Sequence, residues 1–398
     1  AEPTIRMPKK KEEDDDDVSS VDVDEEVNEV EDDEAANDLS NADVVTKYQT
    51  AGKIANECLA KVIAACVPGT KAVTLCLCGD EAIEEATGKI YNGKGKDGKK
   101  IDKGIAFPTC ISPNHCVGHY SPLVSEDDVE IKEGDIVKID MGVHVDGYIA
   151  VVAHTLVVGA GEVTGRKADV QLAAWTAAEC AVRMFKQGAK NHEITAMIAK
   201  VAEAYKCSPV EGVLSHQMKK HVIDANKVVI NKATSEQQVK EATFEFNDVF
   251  AVDIVMSSGE GKPKQLENRT TVFKRDLEQK YSLKMKTSRA FFSEVNTRFP
   301  TLPFTLRAGK DERAWRMGVV ECKNHGMFVE YPVLYEKPEE VVAQYKFTAL
   351  LLPSGNVART TGGPAPTATS EHKLEDEELL AILAQDMSKK KKKKNKKK

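Results

Sequence analysis

Between Val44 and Cys66, apolar side chains recur at three- and four-residue spacing (Val45, Tyr48, Ile54, Ala55, Leu59, Val62, Ile63), and Pro68-Gly69 closes the run. A 3.6-residue period ended by Pro-Gly predicts an amphipathic helix. A second helix is predicted from Leu75 to Ile90. From Ile105 the period shortens to two. Ile136–Asp140 and Val143–Val145 alternate, and Asp146-Gly147 stands between them and the β-branched run Tyr148–Val158 as a hairpin turn signal. Helical spacing returns at Ala168–Lys186 and His192–Tyr205, and two more strand-like runs follow at Val249–Met256 and Met317–Val320. Helix pairs alternating with antiparallel strands predict the α+β class and argue against a parallel doubly wound sheet.

Charge divides the chain further. Residues 1–40 hold 4 Lys/Arg and 17 Asp/Glu, a net of −13, whereas residues 389–398 are nine Lys and one Asn. The overall net charge of −7 hides these opposite ends. Blocks of like charge with few large apolar groups cannot offset chain entropy by burial, so both ends are predicted as disordered interaction tails. The expected organisation is an acidic tail over 1–43, one folded body over 44–387 and a polylysine tail over 388–398. Within the body, an insertion at about 257–315 is predicted. Its residues 257–310 carry 12 Lys/Arg and 5 Asp/Glu, a net of +7, with Phe273, Tyr281, Phe291 and Phe292 among the basic groups.

Other features narrow the classes. The nine cysteines are scattered, odd in number and without a CxxC pair, which predicts reduced thiols in a cytosolic or nuclear protein. No apolar run approaches the ~20 residues of a membrane span, and the acidic N-terminal stretch is neither a signal peptide nor a mitochondrial presequence. Gly93–Lys103 is glycine-rich and basic but lacks the Gly-Lys-Ser/Thr ending of a phosphate loop. His192-Glu193 begins like a zincin helix, but Ala196 stands where the second His should be. His144 and His154 read as packed or surface histidines on strands.

Several longer words carry a family resemblance. Phe107–Thr109, His119–Pro122, Lys132–Asp135, Lys138–Gly147 and Gln344–Thr348 together resemble the type II methionine aminopeptidases. Gly104–Thr109, Val143–Ala150, Gly165–Val170, Leu214–Gln217, Ser257–Lys262 and Leu283–Glu294 resemble more closely the non-peptidase branch known as the ErbB3-binding or proliferation-associated proteins. The resemblance covers roughly residues 44–387. It implies a pita-bread fold of the creatinase/aminopeptidase type, with two related α+β halves facing a central cleft and a helical insertion of the type II kind.

In the peptidases, the resemblance implies, two Asp eleven residues apart, one His and two Glu hold two metal ions that activate a bridging water. Matched position by position, the first Asp is Asp140. The second falls on Val151, which has no lone pair for a metal. The His is His216, the first Glu is Asp253 and the second Glu is Lys346, a cation. Such a set offers two carboxylates where the peptidases offer four. His119 matches the substrate-side His, and the second His of that kind has become Asp224. The expectation is a catalytically inactive homologue with no metal and no cofactor.

Function then rests on binding surfaces. Lys262, Lys264, Arg269, Lys274, Arg275, Lys280, Lys284, Lys286 and Arg289 in the insertion suit a phosphate backbone. The resemblance implies binding to the large ribosomal subunit near the nascent-chain exit, through rRNA and exit-region ribosomal proteins. A cytoplasmic protein with a nuclear or nucleolar pool, monomeric and off the membrane, is expected. Two other readings stay open: an active or altered-metal aminopeptidase, and a nuclear transcriptional co-regulator binding regulatory proteins.

Overall fold

The computed structural model describes residues 37–95, 98–126 and 128–387. The acidic stretch 1–36 and the lysine tail 388–398 lie outside the described residues. Seven α-helices are found among the described residues. They are α1 (Ala42–Ala65), α2 (Ala72–Gly88), α3 (Gly165–Met184), α4 (Asn191–Ala204), α5 (Lys286–Arg298), α6 (Glu312–Asn324) and α7 (Glu377–Leu383). None is long and apolar enough to cross a membrane. Packing starts earlier than the apolar period suggests. Leu39 is buried, and Asn37 Oδ1 accepts a 2.8 Å hydrogen bond from the Tyr148 hydroxyl. Asn41 then caps α1 by accepting from the Asp43 N–H at 3.0 Å.

A large antiparallel sheet runs through both halves. Its strands lie in the order Lys103–Pro113, Ile136–Val145, Tyr148–Val157, Val342–Leu351, Val249–Ser257, Leu214–Met218 and Val228–Ile230. The strand Val342–Leu351 thus sits in the middle, between strands of the N-terminal half and strands of the C-terminal half. The expected hairpin is present: Asp146 and Gly147 both have positive φ (55° and 75°), the backbone of a tight turn that follows the twist of its strands. A side chain at position 147 would collide with the His221 ring at 2.4 Å, so only glycine fits.

Alternation decides what each face of this sheet does. Ile139, Met141, Ala150 and Val152 turn toward α1 and α2 and join one buried core. Val252, Ile254, Tyr345 and Phe347 turn toward α3 and α4 and join another. Each large apolar side chain so buried contributes about 1.5–3 kcal/mol. Because successive strand residues point to opposite faces, Asp140, Val151, Ala153, Asp253, Gln344 and Lys346 must all face away from the helices.

The insertion is a compact unit with its own core. A three-stranded sheet of Phe304–Thr305, Val272–Arg275 and Phe328–Tyr331 packs with α5 and α6 around Phe273, Phe291, Phe304, Trp315 and Phe328. Met317–Val320, strand-like in sequence, lies inside α6 instead. Trp315, Gly318, Val319 and Cys322 are its buried positions, on one helical face, and Met317 and Val320 are exposed. A four-residue apolar window was too short to separate the two periods.

Candidate functional site

The sheet register gathers the matched residues. Asp140 lies opposite Ala153, Ala153 opposite Lys346, and Lys346 opposite Asp253, so one transverse row crosses four strands. Ala153 contributes only a methyl group to that row, and the Lys346 side chain passes over it. Its ammonium lies 2.6 Å from Asp140 Oδ2 and 3.1 Å from Asp253 Oδ2. The three side chains are 9%, 6% and 11% exposed, so solvent screens them little. Burial works against the charged lysine, yet the two carboxylates outweigh it and hold the Lys346 pKa above the ordinary lysine value. Lys346 is charged, and it bridges strands from both halves of the sheet.

Gln344 completes this group. Its amide Nε2 donates to Asp253 Oδ1 at 2.9 Å and lies 3.5 Å from Asp140 Oδ2. It precedes Lys346 by two residues on the same strand, and that parity is the signal that marks it in the sequence. Asp140 Oδ1 and His216 Nδ1 are buried without a hydrogen-bond partner among the described residues. Val151 is buried beside Phe107, and its backbone is tied down on both sides. Its N–H donates to Thr348 Oγ1 at 2.9 Å, and its carbonyl accepts from Thr361 Oγ1 at 2.7 Å.

His216 lies across from Ala251, two residues from Asp253, and therefore on the same face. Burial, with the Lys346 charge beside it, pushes its pKa down to about 4. His119 is also pushed to about 4 by burial. Its Nδ1 donates to the Pro332 carbonyl at 3.1 Å, so the neutral ring keeps Nε2 as an acceptor. His119, Phe107 and Tyr331 pack ring to ring, with centroids 5.4–6.1 Å apart, and Lys346 Nζ lies 5.5 Å from the Phe107 centroid. The charge of Asp224 reaches His216 and Tyr331 of this cluster. Asp224 is exposed and forms an ion pair with Lys274 of the insertion.

A dinuclear metal centre needs several oxygen donors converging on two ions. Here the ammonium already takes the near oxygens of both carboxylates, Val151 offers no donor, and the neutral imidazoles of His216 and His119 bring no negative charge. These residues do not fit a pair of divalent ions.

The basic set of the insertion divides. Lys262, Lys264, Lys280, Lys284, Lys286 and Arg289 are exposed. Arg269 is exposed but bonds Glu126 at 2.9 Å. Lys274 and Arg275 are less open: both are half-buried, Lys274 paired with Asp224 and Arg275 lying over the Phe292 ring. Phe273 and Phe291, which stand among these basic groups in the sequence, are core residues.

Comparison with known proteins places this geometry. Residues 46–272 match metallopeptidase family M24. The chain is 50% identical to "ERBB-3 BINDING PROTEIN 1" of Arabidopsis thaliana over 88% of each chain. Among solved structures it is similar to that of a thermophilic Arx1, at 34% identity and a TM-score of 0.81, covering 88% of this chain and 100% of that one. A methionine aminopeptidase from Thermotoga maritima shares the fold at 17% identity and a TM-score of 0.54, over 82% and 100% of the two chains. The chain belongs to metallopeptidase family M24, has its pita-bread fold, and within the family is a homologue of the ErbB-3-binding and proliferation-associated proteins.

Proposed function

We propose that this chain is a non-hydrolytic M24 protein that docks on the large ribosomal subunit near the nascent-chain exit, with pools in the cytoplasm and the nucleolus. The observation that carries the loss of hydrolysis is the Lys346 ammonium at 2.6 and 3.1 Å from the two carboxylates that would otherwise hold metal. A cation fixed in covalent linkage to the chain neutralises Asp140 and Asp253 but cannot lower the pKa of a bound water or polarise a carbonyl as a metal does. Support for the partner comes from family resemblance and from charge. Residues 257–310 carry a net +7, and exposed lysines at 262, 264, 280, 284 and 286 present it to solvent. Phosphate contacts made there release counterions and give salt-dependent binding.

Two measurements test the reading. Elemental analysis after incubation with Co²⁺, Mn²⁺ or Zn²⁺ is expected to find no stoichiometric metal, and Met-Ala-Ser peptides are expected to stay intact. Two ions per chain with chelator-sensitive turnover would sink the loss of hydrolysis. Co-sedimentation with large subunits across a salt series is expected to weaken when Lys280, Lys284 and Lys286 become Ala. It is expected to hold when Asp140 becomes Asn. The reverse pattern would move the docking surface to the cleft.

A further inference from the structure

The insertion presents two side-chain arrangements that its own packing leaves unfinished. The first sits at the end of α6. Gly326, at φ +70°, turns the chain out of the helix, its N–H bonding the Lys323 carbonyl at 3.0 Å. The Met327 N–H returns to the Cys322 carbonyl at 3.0 Å. This pair of bonds is a Schellman termination, which fixes the residue before the glycine in space. That residue is His325. Its imidazole lies flat on the Tyr281 ring, with centroids 3.5 Å apart and planes 10° apart. Tyr281 is half-buried, and buried Leu283 anchors its loop to the insertion core. The Asp276 N–H ties the start of that loop to the Met327 carbonyl at 2.9 Å. His325 is exposed although Tyr281 covers one of its faces, so the other face is open to solvent.

The second arrangement is Arg275. Its guanidinium lies over the Phe292 ring, 5.0 Å from the centroid, and Nη1 donates to Asn296 Oδ1. Its Nε is buried without a hydrogen-bond partner, and no carboxylate pairs with it among the described residues. Packing therefore holds a cation in place without a counter-charge. Arg275 lies opposite Phe328 in the small sheet, and His325 precedes Phe328 by three residues across the turn that ends α6. Lys280 and Lys284 are exposed on the loop that carries Tyr281.

We infer that this strip binds RNA through unpaired nucleotides. A base stacks on the open face of His325, a neighbouring phosphate sits on Arg275, and Lys280 and Lys284 neutralise the flanking backbone. The inference rests on the proposed ribosomal docking and adds the form of RNA recognised. A base inside a duplex has both faces covered by its neighbours and cannot use the platform, whereas a loop, bulge or single strand can. Preorganisation favours the contact, because neither the helix end nor the guanidinium has to be ordered on binding.

The test uses the full chain, a short single-stranded RNA carrying 2-aminopurine, and a hairpin duplex with the same number of phosphates. The parent protein is expected to bind the single strand more tightly and to quench the 2-aminopurine by stacking. His325→Ala, at an exposed position that leaves the fold intact, is expected to lose about tenfold in affinity together with the quench, with an unchanged salt slope. Lys280→Ala with Lys284→Ala is expected to keep the quench and flatten the slope by about 0.7 per lost phosphate contact. If His325→Ala binds and quenches like the parent, or the duplex is preferred, the platform is wrong while RNA binding stands. If the parent binds neither RNA, the platform and the RNA part of the proposed function fall together.

Discussion

Single residues decide the chemistry of the cleft. Lys346 is the clearest case, because its ammonium keeps two buried carboxylates facing each other at low cost. Removing one partner of a buried charge group typically costs ~3–5 kcal/mol, much of it from the charge left behind. Lys346→Ala is therefore expected to lower the urea midpoint clearly, and adding Asp253→Asn to recover part of the loss. An alanine variant that unfolds like the parent would show that the ammonium is not needed as a counter-ion. Histidines set the acid limit. His119, His144, His154 and His216 are all pushed down to about 4, burial being the first cause in each. Above pH ~6.5 they are neutral in both folded and unfolded chains. As pH falls from there toward 4, the unfolded chain takes up protons that the fold refuses, so stability drops in that window. The expected loss is on the order of 1–2 kcal/mol per histidine at pH 5. Denaturant titrations at pH 7, 6 and 5 check it, and a flat profile would contradict the buried, neutral assignment.

At the scale of elements, the insertion is held to the body by a few directed contacts. Arg307 donates to Asp80 Oδ2 at 2.6 Å, to Ser121 Oγ at 3.0 Å and to the Pro122 carbonyl at 2.9 Å. Asp80 also accepts from the Thr109 N–H at 2.8 Å, so one half-buried carboxylate joins α2, a sheet strand and the insertion. Glu312 accepts from the Val124 and Ser125 N–H groups at 3.0 and 3.1 Å, binding the start of α6 to the same loop. Arg307→Met is expected to loosen this joint. Hydrogen exchange in α5 and α6 should quicken while α1 to α4 keep their protection, whereas a uniform change across all helices would mean that the joint is not local. None of these contacts is legible in the sequence, because each joins residues far apart in the chain through side-chain geometry alone. The helices α1 to α4 were legible, since their apolar spacing is sustained over several turns. Met317–Val320 was not, because its helical partners Trp315 and Cys322 lie outside the short window. The metal-site positions could be matched by linear spacing. What spacing could not give is that Ala153 leaves room for Lys346, or that Asp224 pairs with Lys274.

Across the whole molecule, two cores lie beneath one sheet, and the strand between them comes late in the chain. Val342–Leu351 pairs with Val249–Ser257 along nine residues on one side and touches Tyr148–Val157 on the other. During synthesis, then, the middle of the sheet is made after both of its flanks. Until residue 351 is available, the N-terminal and C-terminal halves each present an unpaired strand edge, a surface prone to pair with other chains. Asp140 and Asp253 also wait without their ammonium through that interval. Closure brings together contacts of high sequence separation, the kind that slows folding. The last strand to arrive is thus the one that joins the sheet and neutralises the cleft, and a nascent chain arrested before it has two half-sheets and no finished protein.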